Sequence, residues 1–412
     1  MSYEQPWIPI AISAGSLLCL SLSQRAVKRR RIVDDTPTSK TAGVFIGMVE
    51  LSGIAITSEP VTSYLAESEC VHFFWSVEEH WKKDETETYR DSEGNTQTLT
   101  RTKSGWTTVA SGGSTVPFFL QDDHGQILIR PEGADLKTAT IFSETCTPLE
   151  GLYFQKGPAA AIAHSTHSRR FLEHAIVNRS PVFVIGQARE RQDAVAAEIA
   201  ASKDASMFVI SVHGQEGVHD SLGWGILGWY TAGSVLAYVF QRLLPGIPPE
   251  SSWSVHLISP LLFTLLWCTA WTVTAFNSLA GLRRRVEQAA GNIDVMLKRR
   301  SDLLPSLIET VKAGASHEAT LQEGLARLRA TAENEDQIAN AVGSIAEAYT
   351  SLRTDASFLR LQTELSATET RIALARSYHA EIASFFNART EVIPDRWICK
   401  TLPSLKRFEL EH

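Results

Sequence analysis

The sequence predicts an α+β membrane protein with three transmembrane helices, a mostly antiparallel β domain after the first of them, and a C-terminal antiparallel helical bundle. Three windows lack Asp, Glu, Lys and Arg over roughly the ~20 residues that a helix needs to cross a bilayer. Period-two alternation of β-branched and aromatic residues follows the first window. Apolar residues then recur at helical spacing through the last third of the chain.

The first window, residues 5–24, reads PWIPIAISAGSLLCLSLS at its centre. Only Glu4 precedes it, while Arg25, Lys28, Arg29, Arg30 and Arg31 follow. Signal peptides carry positive charge before the apolar run, so this polarity predicts a retained anchor with its N-terminus outside. The second window, residues 221–241, centres on LGWGILGWYTAGSVLAYVF, and the third, residues 257–277, on LISPLLFTLLWCTAWTVTAF. Trp7, Trp224, Trp229, Trp253 and Trp271 lie towards the window ends, where an aromatic belt belongs. Residues 242–256 form a short external loop carrying little charge beyond Arg242 and Glu250. Arg283, Arg284 and Arg285 then return to the inside, so two basic clusters agree on one orientation. The glycines of the second window (Gly223, Gly225, Gly228, Gly233) favour close helix packing.

After a basic juxtamembrane linker at 25–42, a β domain is expected over 43–190. GVFIGMVELSGIAI, CVHFFWSVEEHW, VPFFLQDD, GQILIR and PVFVIGQA have strand character, and Val71, Phe73, Trp75 and Val77 share one face. Glu93-Gly94-Asn95 and Asp123-His124-Gly125 are turn signals. Glu78-Glu79 and Asp122-Asp123 read as solvated carboxylates. Residues 191–220 read as a linker with an exposed helix, and MFVISVHG adds one strand before the second span.

From Phe276 the period changes. Val286, Ala289, Ala290, Ile293, Leu297, Leu303, Leu307, Ile308 and Val311 mark one helix continuous with the third span. Leu361, Ala375 and Ile382, with Leu365, Ile372 and Phe386, form a two-position heptad seam in the closing helix. Asn334 and Gln337 cap a middle helix carrying Ile338, Val342, Ile345 and Tyr349. The bundle is expected over 278–394, with Pro394 ending it and a tail at 395–412.

The composition excludes several classes. With 39 basic and 46 acidic side chains the net charge is −7, which is unlike a nucleic-acid protein. Five cysteines without a CxxC pair exclude a disulfide scaffold and a zinc ribbon. GxSxG elbows and phosphate-binding glycine loops are absent. His164, His167 and His174, spaced for one helix face, lack a partnering shell, so solvated or hydrogen-bonded histidines are the expectation. Catalytic, metal and cofactor residues are therefore expected to be none.

Two resemblances add to this reading. GMVELSGIAITSEPVTSYLAESECVHFFWSVEEHW, FFLQDDHGQILIRPEGA and RFLEHAIVNRSPVFVIGQA resemble the GIDE domain of MULAN-type organelle E3 ubiquitin ligases, which also occurs in bacterial membrane proteins. Gly53, Pro60, Cys70, Val71, Asp123, Gly125, Pro131 and Gly186 carry the likeness. In those ligases transfer belongs to a RING with eight Cys/His ligands, which this sequence lacks. The resemblance implies the fold and no ubiquitin transfer. FNSLAGLRRRVEQAAGNIDVMLKRRSDLLPSLIETVKAGASHE and FLRLQTELSATETRIALARSYHAEIASFFNART resemble the opening and closing helices of the LemA family. Asp294, Lys298, Arg299, Asp302, Glu309, Glu364, Glu369 and Arg371 match family positions and are the candidate register or interaction residues. LemA likeness implies a prokaryotic inner membrane. The expectation is a non-catalytic multi-pass scaffold whose partners are the lipid bilayer, further copies of itself and unidentified proteins, with no nucleic acid and no cofactor. An adaptor of the ubiquitin-ligase type is the alternative.

Overall fold

The computed structural model describes residues 7–90, 96–191, 197–202, 207–243, 253–314 and 356–401. Two compact units emerge, one from residues 1–45 with 219–412 and one from 46–218. The middle helix expected from Asn334 and the turn at Glu93-Gly94-Asn95 lie outside the described residues.

The first unit is helical. α1 spans Trp7–Asp34, followed by a two-residue strand β1 (Thr38–Ser39) and a 3-10 turn (Thr41–Gly43). The unit also holds most of α3 (Gly214–Leu243), then α4 (Trp253–His256), α5 (Ile258–Gly314), α6 (Ala356–Glu391) and α7 (Asp395–Thr401). Ser16 Oγ donates to Gly233 O at 3.1 Å and Ser23 Oγ to Ile226 O at 3.3 Å, which sets α1 and α3 antiparallel. Tyr230 meets Thr264 across 3.0 Å, and Gln24 Nε2 donates to Trp267 O at 3.1 Å, so α5 runs antiparallel to α3 and parallel to α1. A Cβ on Gly233 would lie 2.5 Å from Phe263 and 3.0 Å from Cys19, so this glycine permits the close approach. Among the described residues nothing lies within 4 Å of a Cβ on Gly225 or Gly228.

Among the described residues two helices, α1 and α5, are long and apolar enough to cross a membrane. The expectation of three such helices is corrected. α3 exists as a 30-residue helix, but glycines, Trp, Tyr, Ser and Thr dilute its apolarity. α5 is one 57-residue helix, about 86 Å long at 1.5 Å per residue, so the apolar stretch does pass unbroken into the bundle helix. Leu279, Leu282, Val286 and Ala289 of α5 cluster with Ile382, Ala383 and Phe386 of α6, and Arg300 further along α5 meets Glu369 earlier on α6, which makes the pair antiparallel. Leu365, Ile372, Ala375, Ile382 and Phe386 are buried as the seam requires. Pro394 does not end the helical section, because α7 follows it.

The second unit contains the β domain. Its strands are β2 (Gly47–Ile56), β3 (Val61–Thr62), β4 (Glu69–Arg90), β5 (Thr96–Thr115), β6 (Phe118–Asp122), β7 (Gly125–Ile129), β8 (Asp135–Lys137), β9 (Ala139–Cys146), β10 (Ser165–Val177), β11 (Pro181–Glu190), β12 (Ala197–Ile199) and β13 (Val209–Ser211). A short helix α2 (Leu152–Gln155) joins β9 to β10. The pairings β2-β6-β7-β12-β11 close on themselves through β11 with β2, so none of these five strands is left as an open edge. Leu51, Leu120, Ile129, Ile185 and Ile199 are fully buried. Gly53 is needed here: a Cβ would meet Gln121 O at 2.4 Å. β13 pairs β11 and, in parallel, β8.

In the second sheet β4 lies between β10 and β5, and β9 borders β10. Val77, Phe171, Cys146, Tyr153 and Leu65 form its core. The β4–β5 hairpin continues past Trp81, the last β4 residue paired with β10, as a two-stranded ribbon. The exposed helix expected within 191–220 is corrected: Ala197–Ile199 is a strand of the closed ring, with Ile199 buried.

Candidate interaction site

The end of α1 carries the basic run and then Asp34-Asp35-Thr36-Pro37, a proline that cannot continue the helix. Thr36 Oγ1 donates to Ile32 O at 2.7 Å, closing the last turn. Asp35 thereby enters the crevice between α5 and α6 and becomes 96% buried. Ser278 Oγ and Arg389 Nη1 both donate to its carboxylate. Arg285 Nη1 donates to Thr36 Oγ1 at 2.7 Å and to Asp35 O at 3.3 Å. Arg389 Nε reaches Asp395 Oδ2 at 2.8 Å, and Arg31 Nη1 approaches the same oxygen at 3.5 Å. Burial opposes charge on Arg389, but Asp35 and Asp395 outweigh it and hold the guanidinium above its usual range. This collar ties α1, α5, α6 and α7 together with charged pairs. Breaking one such buried pair costs about 3–5 kcal/mol.

A cavity of about 550 Å³ opens beside the collar. Arg30, Arg31, Trp267, Trp271 and Asp395 are among its walls. The Arg31 guanidinium lies 4.7 Å from the Trp271 ring centroid, and Arg30 Nε donates to His219 Nε2 at 3.0 Å.

The orientation residues Arg25, Lys28, Arg29, Arg30 and Arg31 all lie on the last turns of α1, and Arg283, Arg284 and Arg285 lie on α5. Among the family-position charges, Glu369 approaches Arg300 across the α5–α6 seam at 3.8 Å, and Glu364 pairs with Arg360 one turn away at 3.1 Å. Asp294, Lys298, Arg299, Asp302, Glu309 and Arg371 are exposed. Sequence reasoning missed Asp35, Ser278, Arg389 and Asp395. Nothing local marks them, since Asp35 and Arg389 are 354 positions apart.

The β unit holds a second buried network. Arg169 and Glu79 have fully buried side chains, 3.1 Å apart, so the solvated reading of Glu79 is corrected. Arg169 also donates to the carbonyls of Tyr153, Pro158 and Ala160 at 3.0, 2.7 and 3.1 Å. Ser165 Oγ and Tyr153 OH donate to Glu79 Oε1. The carboxylate of Glu173 accepts the backbone N–H groups of Tyr64, Leu65 and Ala66 at 2.8–3.1 Å. These groups fasten β4 and β10 to the loops around them. The histidines stand otherwise than on a helix face. His164 precedes β10, whereas His167 and His174 lie within it, His167 at a register irregularity between Ser165 and Arg169 with φ +57°. His174 Nδ1 meets Thr140 Oγ1 at 3.1 Å and His80 Nδ1 meets Thr166 Oγ1 at 2.9 Å. Among the described residues no group of three His, Cys, Asp or Glu side chains is placed to hold a metal ion.

Two family models match the chain. Residues 289–410 match the LemA family, and residues 85–239 match the GIDE model, described as an E3 ubiquitin ligase. The second match begins inside β4 and ends inside α3. No curated protein and no solved structure matches. The LemA-family match thus takes in the later part of α5 and all of α6, and the GIDE match precedes it in the chain.

Proposed function

We propose that the protein is a non-catalytic, multi-pass scaffold of a prokaryotic inner membrane, holding its GIDE-type and LemA-family parts on the cytoplasmic side for self-assembly and partner binding. The observation that carries this reading is α5, a single helix whose first part is apolar enough to cross a bilayer and whose remainder is the opening helix of the hairpin. The collar of Asp35, Arg389 and Asp395 supports it by fixing the closing helix to the base of α1. Parallel α1 and α5 need a return path between them, and α3 lies antiparallel along both with no charge from Ser221 to Gln241. We therefore assign α3 as the middle crossing, with the N-terminus outside. Reporter fusions after Arg31 and after His412 should both read as cytoplasmic, and the chain should resist alkaline carbonate extraction. Extraction by carbonate overturns the scaffold reading; an external reading at either fusion overturns the orientation.

The GIDE-type match favours one second reading, an adaptor for a ubiquitin-type ligase. Ligase activity of that kind needs a zinc-held RING, and the sequence contains no paired CxxC. Stoichiometric zinc together with conjugation activity in the purified chain would favour it over the scaffold.

A further inference from the structure

We infer that the cavity at the end of α1 binds the headgroup of an aminophospholipid, taking its phosphodiester at Arg30 and Arg31 and its primary ammonium at Asp395. This inference rests on the membrane reading above.

The cavity of about 550 Å³ falls in the range usual for small-ligand sites, roughly 300–1,000 Å³. It lies where the apolar part of α1 gives way to its basic run, beside Trp267 and Trp271 in the apolar part of α5, and a basic cluster at the end of a span meets the headgroup layer. A guanidinium offers five N–H donors. Among the described residues Arg30 uses only Nε, towards His219. Among the same residues Arg31, with a side chain 88% buried, has one long contact of 3.5 Å to Asp395 and the face of Trp271. Two adjacent guanidinium groups thus keep most of their donors while lining one cavity, and a phosphodiester is the acceptor that fits them.

Asp395 supplies an acceptor for the ammonium of the headgroup. Its Oδ2 is held by Arg389, but among the described residues its buried Oδ1 has no hydrogen-bond partner. A primary ammonium brings N–H donors to that oxygen; a quaternary ammonium brings none. Exposed Val392 and Ile393 on the cavity rim offer apolar surface to the glycerol backbone and upper acyl chains.

The test is native mass spectrometry of the full chain in mild detergent, titrated separately with phosphatidylethanolamine, phosphatidylglycerol and phosphatidylcholine. Phosphatidylethanolamine should be retained about tenfold better than either competitor, the effect of one charge-assisted hydrogen bond. Arg30→Gln with Arg31→Gln should abolish that excess, while Arg25→Gln with Arg29→Gln, at positions outside the cavity wall, should preserve it. Asp395→Asn, which keeps an oxygen for Arg389, should keep lipid binding but erase the preference for phosphatidylethanolamine over phosphatidylcholine, with amide hydrogen exchange on α6 and α7 verifying that the collar stays folded. Equal retention of all three lipids, or an unchanged preference in Arg30→Gln with Arg31→Gln, overturns the inference. Displacement of the lipid by equimolar glycerophosphoethanolamine overturns the assignment to a lipid. Carbonate extraction of the same membranes separates the two hypotheses, because a chain that stays integral while showing no preference refutes the headgroup site alone.

Discussion

Replacing Arg169 with Met removes the positive half of a pair in which neither side chain has any solvent exposure. Glu79 would keep Ser165 Oγ and Tyr153 OH but lose both guanidinium contacts, at 3.1 and 3.2 Å. An uncompensated buried charge of this kind costs about 3–5 kcal/mol. The carbonyls of Tyr153, Pro158 and Ala160 would lose their donor as well, which places the expected loss at the upper end. The assay is amide hydrogen exchange of the full chain in detergent, followed on peptides from β4 and β10. Even about 3 kcal/mol corresponds to roughly a 150-fold loss of protection. Adding Glu79→Leu should recover more than half of that loss, because a pair removed together leaves no lone charge. Protection that changes less than about threefold in Arg169→Met, or a double variant worse than the single one, would refute the argument that the pair holds these strands.

Glu173→Gln turns an amide N–H₂ towards backbone donors of the 64–66 loop and should lower protection there by the equivalent of about 1–3 kcal/mol, read by the same exchange experiment. Burial pushes the thiols of Cys70 and Cys146 up to about 11, so both should escape maleimide at neutral pH until the chain is unfolded, as peptide mapping would reveal. Burial of Glu198 favours its neutral form, but Arg130 and Arg189 outweigh that and hold its carboxyl below the usual range. Its stabilisation is therefore full above the ordinary carboxylate value and lost as pH falls through the lower folded one. The gap between wild type and Glu198→Gln should shrink from about pH 7 to about pH 3, and a constant gap refutes the linkage. Gly233→Leu should separate α1, α3 and α5, since its Cβ alone would lie 2.5 Å from Phe263; a lower melting temperature of the detergent-solubilised chain is the expected readout.

The strands most legible in the sequence are those with one buried face. Val71, Phe73 and Val77 alternate in β4, and Val49, Leu51 and Ala55 in β2, so period two announced them. β12 was not legible, because AVAAEIA has the composition of a helix. Closure of the ring overrides that propensity by burying Ile199 and pinning Glu198 between Arg130 and Arg189, at 2.8 and 2.9 Å. Glu79 shares this history: its neighbour Glu78 is partly exposed, and only the buried Arg169 on the adjacent strand explains its position. Within β10 the inward positions Arg169, Phe171, Glu173 and Ala175 follow strict alternation, which in a strand signals two charges facing the core. The α5–α6 seam was legible because heptads are local. The collar was not, because its members meet only after the chain has folded back over hundreds of positions.

The unbroken run of α5 has a mechanical corollary. Some 20 of its 57 residues would occupy a bilayer, leaving about 55 Å of shaft beyond it. A lean of only 5° in the embedded part, of the size by which helices adjust to bilayer thickness, would sweep the distal tip sideways by about 5 Å. Changes in lipid composition would in this way be magnified into sideways displacements of the distal end of α5.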